Sequence, residues 1–255
     1  MTLSASKLIA GYGRHAVTGP SDLTLRPLTT TVLIGANGTG KSTLLRTLAG
    51  AQPPIDGTVC IGGEDIRSLS RRRLAQCMSL VYTDPGSADD LTAEEVVALG
   101  RHPHTGVFGR LSASDHAEID AAIRAVGIDS LRRRKTATLS DGERQKTMIA
   151  RAVAQATPIM LLDEPTSFLD AASRIEIMQL LRKLCREHGK SILLSTHDIA
   201  PALDVADDLW VMDSATGTLV CGTRDEVIAT GVMDRVFRTS AVRFDSATLD
   251  YRPGR

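Results

Sequence analysis

The chain has 255 residues, of which 42% are hydrophobic and 24% are charged. This composition is typical of a folded globular protein, and it excludes intrinsic disorder and a collagen-like fibre. Lysine and arginine together number 30, as do aspartate and glutamate, so the formal net charge is zero. Because no global basic field is available to hold a polyanion, we expect no nucleic acid partner.

The sequence also lacks the features of a secreted or membrane-spanning chain. Its apolar stretches, such as residues 159–162 and 192–194, are short, whereas a spanning helix needs about 20 residues. Residues 1–10 lack the basic region, the long apolar stretch and the cleavage site of a signal peptide, so we expect a cytoplasmic protein. The cysteines are far apart and form no CxxC pair, which favours buried reduced thiols over disulfides or zinc. They are Cys60, Cys77, Cys185 and Cys221.

Short β-branched or aliphatic stretches recur along the chain, and helical patterns separate several of them. This alternation predicts an α/β protein with a largely parallel sheet. The predicted strands cover residues 31–34, 58–61, 78–82, 159–163, 191–195 and 209–213.

The pattern changes to a helical one between residues 92 and 155. Thr92 and Glu95 match a capping box, apolar residues recur at helical spacing after them, and strand signals are absent. We therefore predict a helical subdomain inserted in the α/β core.

Two loops and two basic clusters complete the outline of the chain. Proline and glycine mark loops at residues 53–57 and 101–106. Residues 71–73 and 132–135 are basic, but runs this short are usually solvated helix faces or turn surfaces. We interpret both clusters in that way.

A glycine-rich motif follows the first of these predicted strands. Residues 35–43 read GANGTGKST and match the G-x-x-x-x-G-K-[ST] phosphate loop, between a strand and a helical pattern as that motif requires. Glycines let successive amides point at phosphate oxygens; Lys41 would reach the β- and γ-phosphates, and Ser42 would ligate Mg²⁺. The alternative is a strand-to-helix turn without a ligand. The predicted contacts are Gly35, Asn37, Gly38, Gly40, Lys41, Ser42 and Thr43.

Two adjacent acids end the predicted strand that starts at residue 159. In a parallel sheet ligands lie beyond the carboxyl ends of the strands, so Asp163 reaches the edge that carries the phosphate loop and would hold a water in the Mg²⁺ shell. Glu164 is placed to orient and activate the attacking water. Paired acids at a strand end are otherwise ordinary turn or cap residues. Together with the phosphate loop they predict an ATP- or GTP-binding site.

The segment LSDGE at residues 139–143 precedes an amphipathic helix. Ser140 with Glu143 three residues later matches a common helix start. That interpretation explains both side chains, but it does not explain their position just before the strand that ends in Asp163.

These motifs and their order resemble the ATP-binding cassette (ABC) family over nearly the whole chain, including SFLD at residues 167–170 and STH at 195–197. The resemblance implies a phosphate-loop NTPase core with a mainly parallel sheet, an antiparallel β portion on the N-terminal side and an inserted α-helical subdomain. By the same resemblance we divide the chain into a core, a subdomain and a tail. These cover about residues 1–85 with 156–230, about 86–155, and 231–255 respectively.

The resemblance also assigns roles by position. In such proteins two cassettes pack head to tail, so Ser140 and Gly142 would complete the nucleotide site of the partner. Tyr12 would stack on adenine, and His197 would contact the γ-phosphate and the attacking water. Asp170 would connect the two sites across the dimer. A core position is the alternative for Tyr12, and a helix N-cap is the alternative for Asp170.

One position departs from the family pattern. After the strand at residues 78–82 the family usually has Gln, which contacts Mg²⁺, whereas this chain has Thr83. A Thr side chain is shorter than that of Gln, so we predict that Thr83 does not ligate Mg²⁺ directly and that any contact between them runs through a bridging water. The Glu at the end of LSDGE, where Gln is commoner, is a milder departure.

Further similarities indicate a subgroup of the family. Residues 96–106, LSDGERQ at 139–145 and the tail residues 236–237 and 244–245 are similar to ATPase subunits of importers for iron-siderophore complexes, haem and cobalamin. This implies a homodimer that binds ATP and Mg²⁺ on permease subunits at the cytoplasmic face of the membrane, with a solute-binding protein outside. The alternative is a soluble cassette ATPase of DNA repair, chromosome organisation or translation.

Overall fold

The computed structural model describes residues 1–82, 89–106, 108–213, 215–238, 242–245, 248 and 250–253. Its strands are β1 Leu3–Ile9, β2 Gly11–Tyr12, β3 His15–Ala16, β4 Ser21–Leu25, β5 Thr30–Ile34, β6 Asp56–Ile61, β7 Glu64–Asp65, β8 Met78–Val81, β9 Ile159–Leu162, β10 Ser191–Thr196, β11 Asp208–Asp213, β12 Thr218–Thr223, β13 Val242–Asp245 and β14 Asp250–Pro253. Its α-helices are α1 Lys41–Leu48, α2 Arg71–Cys77, α3 Ala93–Ala98, α4 Ala113–Val126, α5 Asp141–Ala154, α6 Ala171–His188, α7 Ile199–Val205, α8 Arg224–Ala229 and α9 Val232–Phe237.

A six-stranded sheet forms the centre of the molecule, in the order β12-β11-β5-β10-β9-β8. Five of its strands run parallel, and β12 pairs antiparallel with β11 at one edge. Five of the six predicted strands lie in this sheet, which confirms the α/β interpretation. The sixth, predicted at residues 58–61, belongs to a second sheet.

The second sheet is antiparallel, with strands in the order β4-β1-β6-β7. The predicted antiparallel portion on the N-terminal side is thereby confirmed. Its strand β1 alternates between buried and more exposed residues, as expected of a sheet that covers a core with one face.

The central sheet separates two apolar cores. Successive side chains of a strand point to opposite faces, so Val32 and Ile34 of β5 pack with α5, α6 and α7, while Leu33 packs with α1 and the antiparallel sheet. All five residues of β5 are buried. A strand covered on both faces has few polar side chains, and residues 31–34 are accordingly a β-branched or aliphatic stretch.

The helices α3, α4 and α5 pack against one another and form the helical subdomain. Thr92 caps α3 in a capping box with Glu95, as predicted. Ile119, Ile123 and Ile149 are buried in its interior. Within the described residues from Ala93 to Ala154 the ordered elements are helical, as the sequence pattern indicated.

Two secondary predictions have different outcomes. The basic cluster at residues 71–73 is an exposed helix start, and Arg132 and Arg134 of the other cluster form ion pairs with acids of the helical subdomain. The free cysteines Cys77 and Cys185 are buried as expected, but Cys60 is only partly buried. The expectation of burial is wrong for Cys221, because it lies on the edge strand β12. None of the described helices is long and apolar enough to span a bilayer.

Candidate functional site

Three neighbouring strands end at one side of the central sheet, and the predicted site residues follow them. β5 leads into the loop at residues 35–40, β9 leads into Asp163 and Glu164, and β10 ends directly before His197. Because these strands are adjacent and parallel, their carboxyl ends meet at the same side of the sheet. We call the residues 35–43, 163–167 and 195–197 the core edge.

Glycines determine the shape of the loop at residues 35–40. Gly38 and Gly40 have φ angles of 78° and 100°, in the left-handed region that glycine adopts without strain. A Cβ at Gly40 would lie 2.7 Å from the side chain of Val17, so there is no room for one. Helix α1 begins at the next residue without a side-chain cap, which leaves its first backbone N–H groups suited to an anion.

Lys41, the first residue of α1, is 4% exposed. Its Nζ donates to the carbonyl oxygens of Gly35 at 2.9 Å and Ala36 at 3.2 Å, and lies 3.4 Å from Oε1 of Glu164. The ammonium group is therefore held inside the loop by two carbonyl oxygens, which carry no net charge, and by one more distant carboxylate. Phosphate oxygens would be stronger partners for it.

Asp163 accepts hydrogen bonds from two hydroxyl groups on neighbouring segments. The Oγ atoms of Ser42 and Ser195 donate to its Oδ1 at 2.9 and 2.8 Å. The carboxylate is 3% exposed, so its position is fixed. Carboxylate and hydroxyl oxygens are the ligands that Mg²⁺ prefers, and the chemistry of Ser42 and Asp163 fits this ion, either directly or through water.

Glu164 is the centre of a second cluster at the core edge. Its Oε2 accepts a hydrogen bond from Ser167 Oγ at 2.8 Å and lies 3.2 Å from Nδ1 of His197. Burial acts to raise the pKa of Glu164, but the hydrogen bond from Ser167 and the nearby positive charge of Lys41 outweigh it and lower the pKa below its ordinary value. The side chain is thus an oriented, ionised carboxylate at neutral pH.

The backbone of Glu164 is held by Ser195. Its φ is 46°, an uncommon value for a residue with a side chain, and its N–H donates to Ser195 Oγ at 2.9 Å. Ser195 thereby links the two acids, since the same hydroxyl donates to Asp163. Ser195 and Ser167 belong to the motifs STH and SFLD, but the sequence predicted no role for either side chain. The available signal was a polar residue at the end of an otherwise apolar strand.

Tyr12 lies on the short strand β2 and is 52% exposed. The alternative of a core tyrosine is therefore wrong. Its hydroxyl oxygen accepts a hydrogen bond from Thr43 Oγ1 at 2.8 Å, which connects it to the phosphate-loop motif. This anchor fixes one end of the ring and leaves an exposed aromatic surface beside α1.

Ser140 and Gly142 lie at the start of α5. Ser140 is the N-cap, and its hydroxyl and the side chain of Glu143 form a capping box, as the helix-start interpretation predicted. The hydrogen bond from the Ser140 N–H and the nearby Arg134 guanidinium lower the pKa of Glu143. Among the described hydrogen bonds and ion pairs, none joins Ser140 or Gly142 to the loop at residues 35–40.

Asp170 is the N-cap of α6, where it accepts a hydrogen bond from the Ser173 N–H at 2.8 Å. This and the Ser173 hydroxyl lower its pKa. The helix-cap interpretation of Asp170 is confirmed, and it leaves a role across a dimer open. Thr83 lies outside the described residues.

The fold and the core edge define a nucleotide-binding protein of the phosphate-loop type. The family model for the ABC transporter matches residues 19–167. An ABC transporter ATP-binding protein of Methanocaldococcus jannaschii is 40% identical over 98% of this chain and 83% of its own length. The iron(3+)-hydroxamate import ATP-binding protein FhuC of Bacillus subtilis is 35% identical over 94% of this chain and 89% of its own.

A solved structure of a dimeric bacterial ABC transporter cassette superimposes with a TM-score of 0.74 at 25% identity, covering 87% of this chain and 98% of that one. The chain belongs to the ABC transporter family of ATP-binding proteins. It is an ATPase, as the sequence motifs predicted.

Proposed function

We propose that this chain is the ATP-hydrolysing subunit of an importer for iron-siderophore, haem or cobalamin-type solutes. The observation that carries the proposal is the cluster in which Lys41, Asp163 and Glu164 meet at one side of the sheet. The solute class rests on the similarity to an iron(3+)-hydroxamate import protein over most of both chains. The relatives described above are transport proteins, and they give no support to a role in DNA repair, chromosome organisation or translation.

In the proposed reaction the loop at residues 35–40 and the first amides of α1 hold the phosphates of ATP. Lys41 exchanges its carbonyl partners for phosphate oxygens, a charge-assisted contact that is stronger than the contacts it gives up. Ser42 and Asp163 would hold Mg²⁺, which neutralises charge on the phosphates when it is bound. Tyr12 offers its exposed ring to the adenine.

Glu164 is proposed to orient the water that attacks the γ-phosphate and to accept its proton. The Ser167 hydroxyl and the His197 ring both approach Oε2, so they fix the rotation of the carboxylate. Oε1 lies on the side of Lys41. His197 is 44% exposed at its side chain, which makes it available to the phosphate as well as to Glu164.

A homodimer is proposed to complete each site. Ser140 is exposed at the start of a 14-residue helix, and its capping box leaves the hydroxyl oxygen and neighbouring amides directed to the helix entrance. A helix start of this kind attracts anions, so it would close over the γ-phosphate held by the partner. Asp170, at the start of the adjacent α6, would lie at the same interface.

We further propose that the dimer works on permease subunits at the cytoplasmic face of the membrane, with a solute-binding protein on the other side. Affinity purification of the tagged chain from detergent-solubilised membranes tests this step. The expected result is an integral membrane protein in stoichiometric amount that raises the rate of ATP hydrolysis. Recovery of the chain with DNA, ribosomes or no membrane protein would contradict it.

The composite site is tested by mixing two inactive variants. Ser140→Arg blocks the helix start, and Lys41→Ala removes the phosphate contact, so each variant alone should hydrolyse ATP at no more than a few per cent of the wild-type rate. A heterodimer of the two has one intact site, and the mixture should regain part of the activity. A mixture that forms heterodimers and stays as inactive as its parents would contradict the arrangement, provided that a mixture of wild type and Lys41→Ala remains active.

A further inference from the structure

The loop at residues 102–106 is attached to the core by helix α2, although it belongs to the helical subdomain. Arg72 Nε donates to the carbonyl oxygen of Pro103 at 2.9 Å, and its Nη2 donates to that of Thr105 at 3.1 Å. Gln76, one turn further along α2, donates to the same Pro103 oxygen at 3.0 Å. Two side chains of the core therefore donate three hydrogen bonds to two backbone carbonyl oxygens of one short loop.

The same loop holds the end of helix α5. Nε2 of His104 lies 2.9 Å from the carbonyl oxygen of Gln155, which caps that helix. The side chain of Gln155 in turn donates to the carbonyl oxygens of Ala75 at 2.6 Å and Met78 at 3.1 Å, on α2 and at the start of β8. The carboxyl end of α5 is thus tied to the core twice, directly by Gln155 and through the loop by Arg72 and Gln76.

Helix α5 is the helix whose other end carries Ser140. It is 14 residues long, about 21 Å, so a tilt of about 3° at its carboxyl end displaces Ser140 by about 1 Å. Sub-ångström placement of groups that contact the reacting phosphate has large effects on rate. The sequence predicts a solvated surface for the arginines at residues 71–73, but the side chain of Arg72 contacts this loop.

We propose that Arg72 and Gln76 are positioning residues, and that their clasp on Pro103 and Thr105 sets the orientation in which α5 presents Ser140 to the nucleotide of a partner subunit. This rests on the proposed function of Ser140. The clasp has no contact with the core edge among the described residues, so it does not affect the binding of nucleotide to a single chain. It affects the turnover step, which needs Ser140 in place.

The experiment compares the full-length double variant Arg72→Ala/Gln76→Ala with Arg73→Ala as a matched control. Arg73 is an exposed neighbour on the same helix, and its side chain makes none of the described hydrogen bonds or ion pairs. For the double variant we expect kcat of ATP hydrolysis to fall about fivefold to tenfold, the effect of losing two or three modest hydrogen bonds. The affinity for an ATP analogue that is not hydrolysed should stay within about twofold of wild type.

Hydrogen exchange provides a readout that does not depend on activity. Amides of residues 101–106 and of the last turn of α5 should exchange faster in the double variant, while those of α1 and β9 are unchanged. Arg72→Lys retains a charged donor but lacks the two-pronged guanidinium that contacts both carbonyls. With Gln76 intact, its kcat should lie between that of the double variant and that of wild type. A kcat equal to that of Arg73→Ala would overturn the proposal, and so would a parallel loss of nucleotide affinity. Failure of the wild type itself to hydrolyse ATP, or insensitivity of its hydrolysis to Lys41→Ala, would instead overturn the proposed function.

Discussion

Two cationic side chains of this protein are buried, Lys41 in the core and Arg101 in the helical subdomain, and they differ in how tightly their partners hold them. Arg101 donates from Nε to Asp115 Oδ1 at 2.9 Å and from Nη1 to the Ala154 carbonyl oxygen at 2.7 Å, and both members of this pair are about 95% buried. Lys41 is equally buried, but its acidic neighbour Glu164 lies at 3.4 Å and its hydrogen bonds go to the backbone carbonyl oxygens of Gly35 and Ala36.

The two cations differ in whether a ligand can replace their partners. The Arg101 pair is buried in the helical subdomain, and both its acid and its carbonyl partner lie at direct hydrogen-bond distance, so a ligand has no access to replace them. The Lys41 pair stands at the open ends of strands, where a phosphate can replace a carbonyl without leaving a charge unpaired. A tight pair therefore indicates a structural role and a loose pair indicates a binding site, and the predictions below test this contrast.

The largest effect is expected for Glu164→Gln. The substitution keeps the size of the side chain and its contact with Ser167, but it removes the negative charge and the ability to accept a proton. The rate of ATP hydrolysis should fall by about 100-fold to 10,000-fold. The affinity for ATP should be retained, because the Lys41 ammonium keeps its charge and loses only a competing partner.

The measurement is steady-state hydrolysis together with equilibrium nucleotide binding. Glu187→Gln, the same change at an exposed position of α6, serves as the control and should behave as wild type. If Glu164→Gln hydrolysed ATP within threefold of wild type, the assignment of Glu164 as the group that activates water would be wrong.

A smaller effect on activity but a large one on stability is expected for Arg101→Ala. Removal of the guanidinium leaves the buried Asp115 without its cation and the Ala154 carbonyl without a donor. Breaking a buried pair in this way costs about 3–5 kcal/mol of unfolding free energy. Urea denaturation measures the loss, and Arg124→Ala on the exposed side of α4 is the control.

Nucleotide affinity of the folded Arg101→Ala protein should equal that of wild type, since the pair lies in the helical subdomain. If the variant bound nucleotide more weakly than wild type under conditions in which it is folded, the claim that Arg101 has only a structural role would be wrong.

The sequence predicted the central sheet and the acids at its edge well, for a physical reason. β5, β9 and β10 are covered on both faces and read as apolar runs, and the phosphate loop is defined by glycines whose conformations no other residue adopts easily. Both signals are local in sequence. The cap at Asp170 and the capping box at Ser140 were predictable in the same way.

Contacts between distant segments could not be predicted. The hydroxyl of Ser195 joins the backbone of Glu164 to the carboxylate of Asp163 only because β9 and β10 are neighbours in register. The hydrogen bond from Arg72 to the carbonyl oxygen of Pro103 joins residues 31 positions apart, and it requires no particular side chain on the loop. Every residue has a backbone carbonyl, so the residue type does not indicate which carbonyl accepts such a hydrogen bond.

The smallest expected effect is the part of the pH dependence of stability that Asp115 contributes. Hydrogen bonds from the Ser112 hydroxyl and N–H, together with the Arg101 guanidinium, lower the pKa of Asp115 from 3.8 to about 2. Because this pKa is lower in the folded chain than in the unfolded chain, the ionised carboxylate stabilises the fold above the unfolded value. That contribution is lost as pH falls through the interval from about 4 to about 2.

Other carboxylates with lowered pKa, such as Glu143 and Asp170, add to the acid sensitivity of the whole protein, so the effect of Asp115 must be obtained as a difference. The unfolding free energy of wild type and of Asp115→Asn should be measured by urea denaturation at intervals from pH 6 to pH 2.5. Asparagine does not titrate, so the gap between the two proteins should be constant above about pH 5 and should narrow steadily below pH 4. A gap that stays constant to the lowest pH would mean that Asp115 contributes by packing and hydrogen bonding, and that its charge beside Arg101 adds no stability.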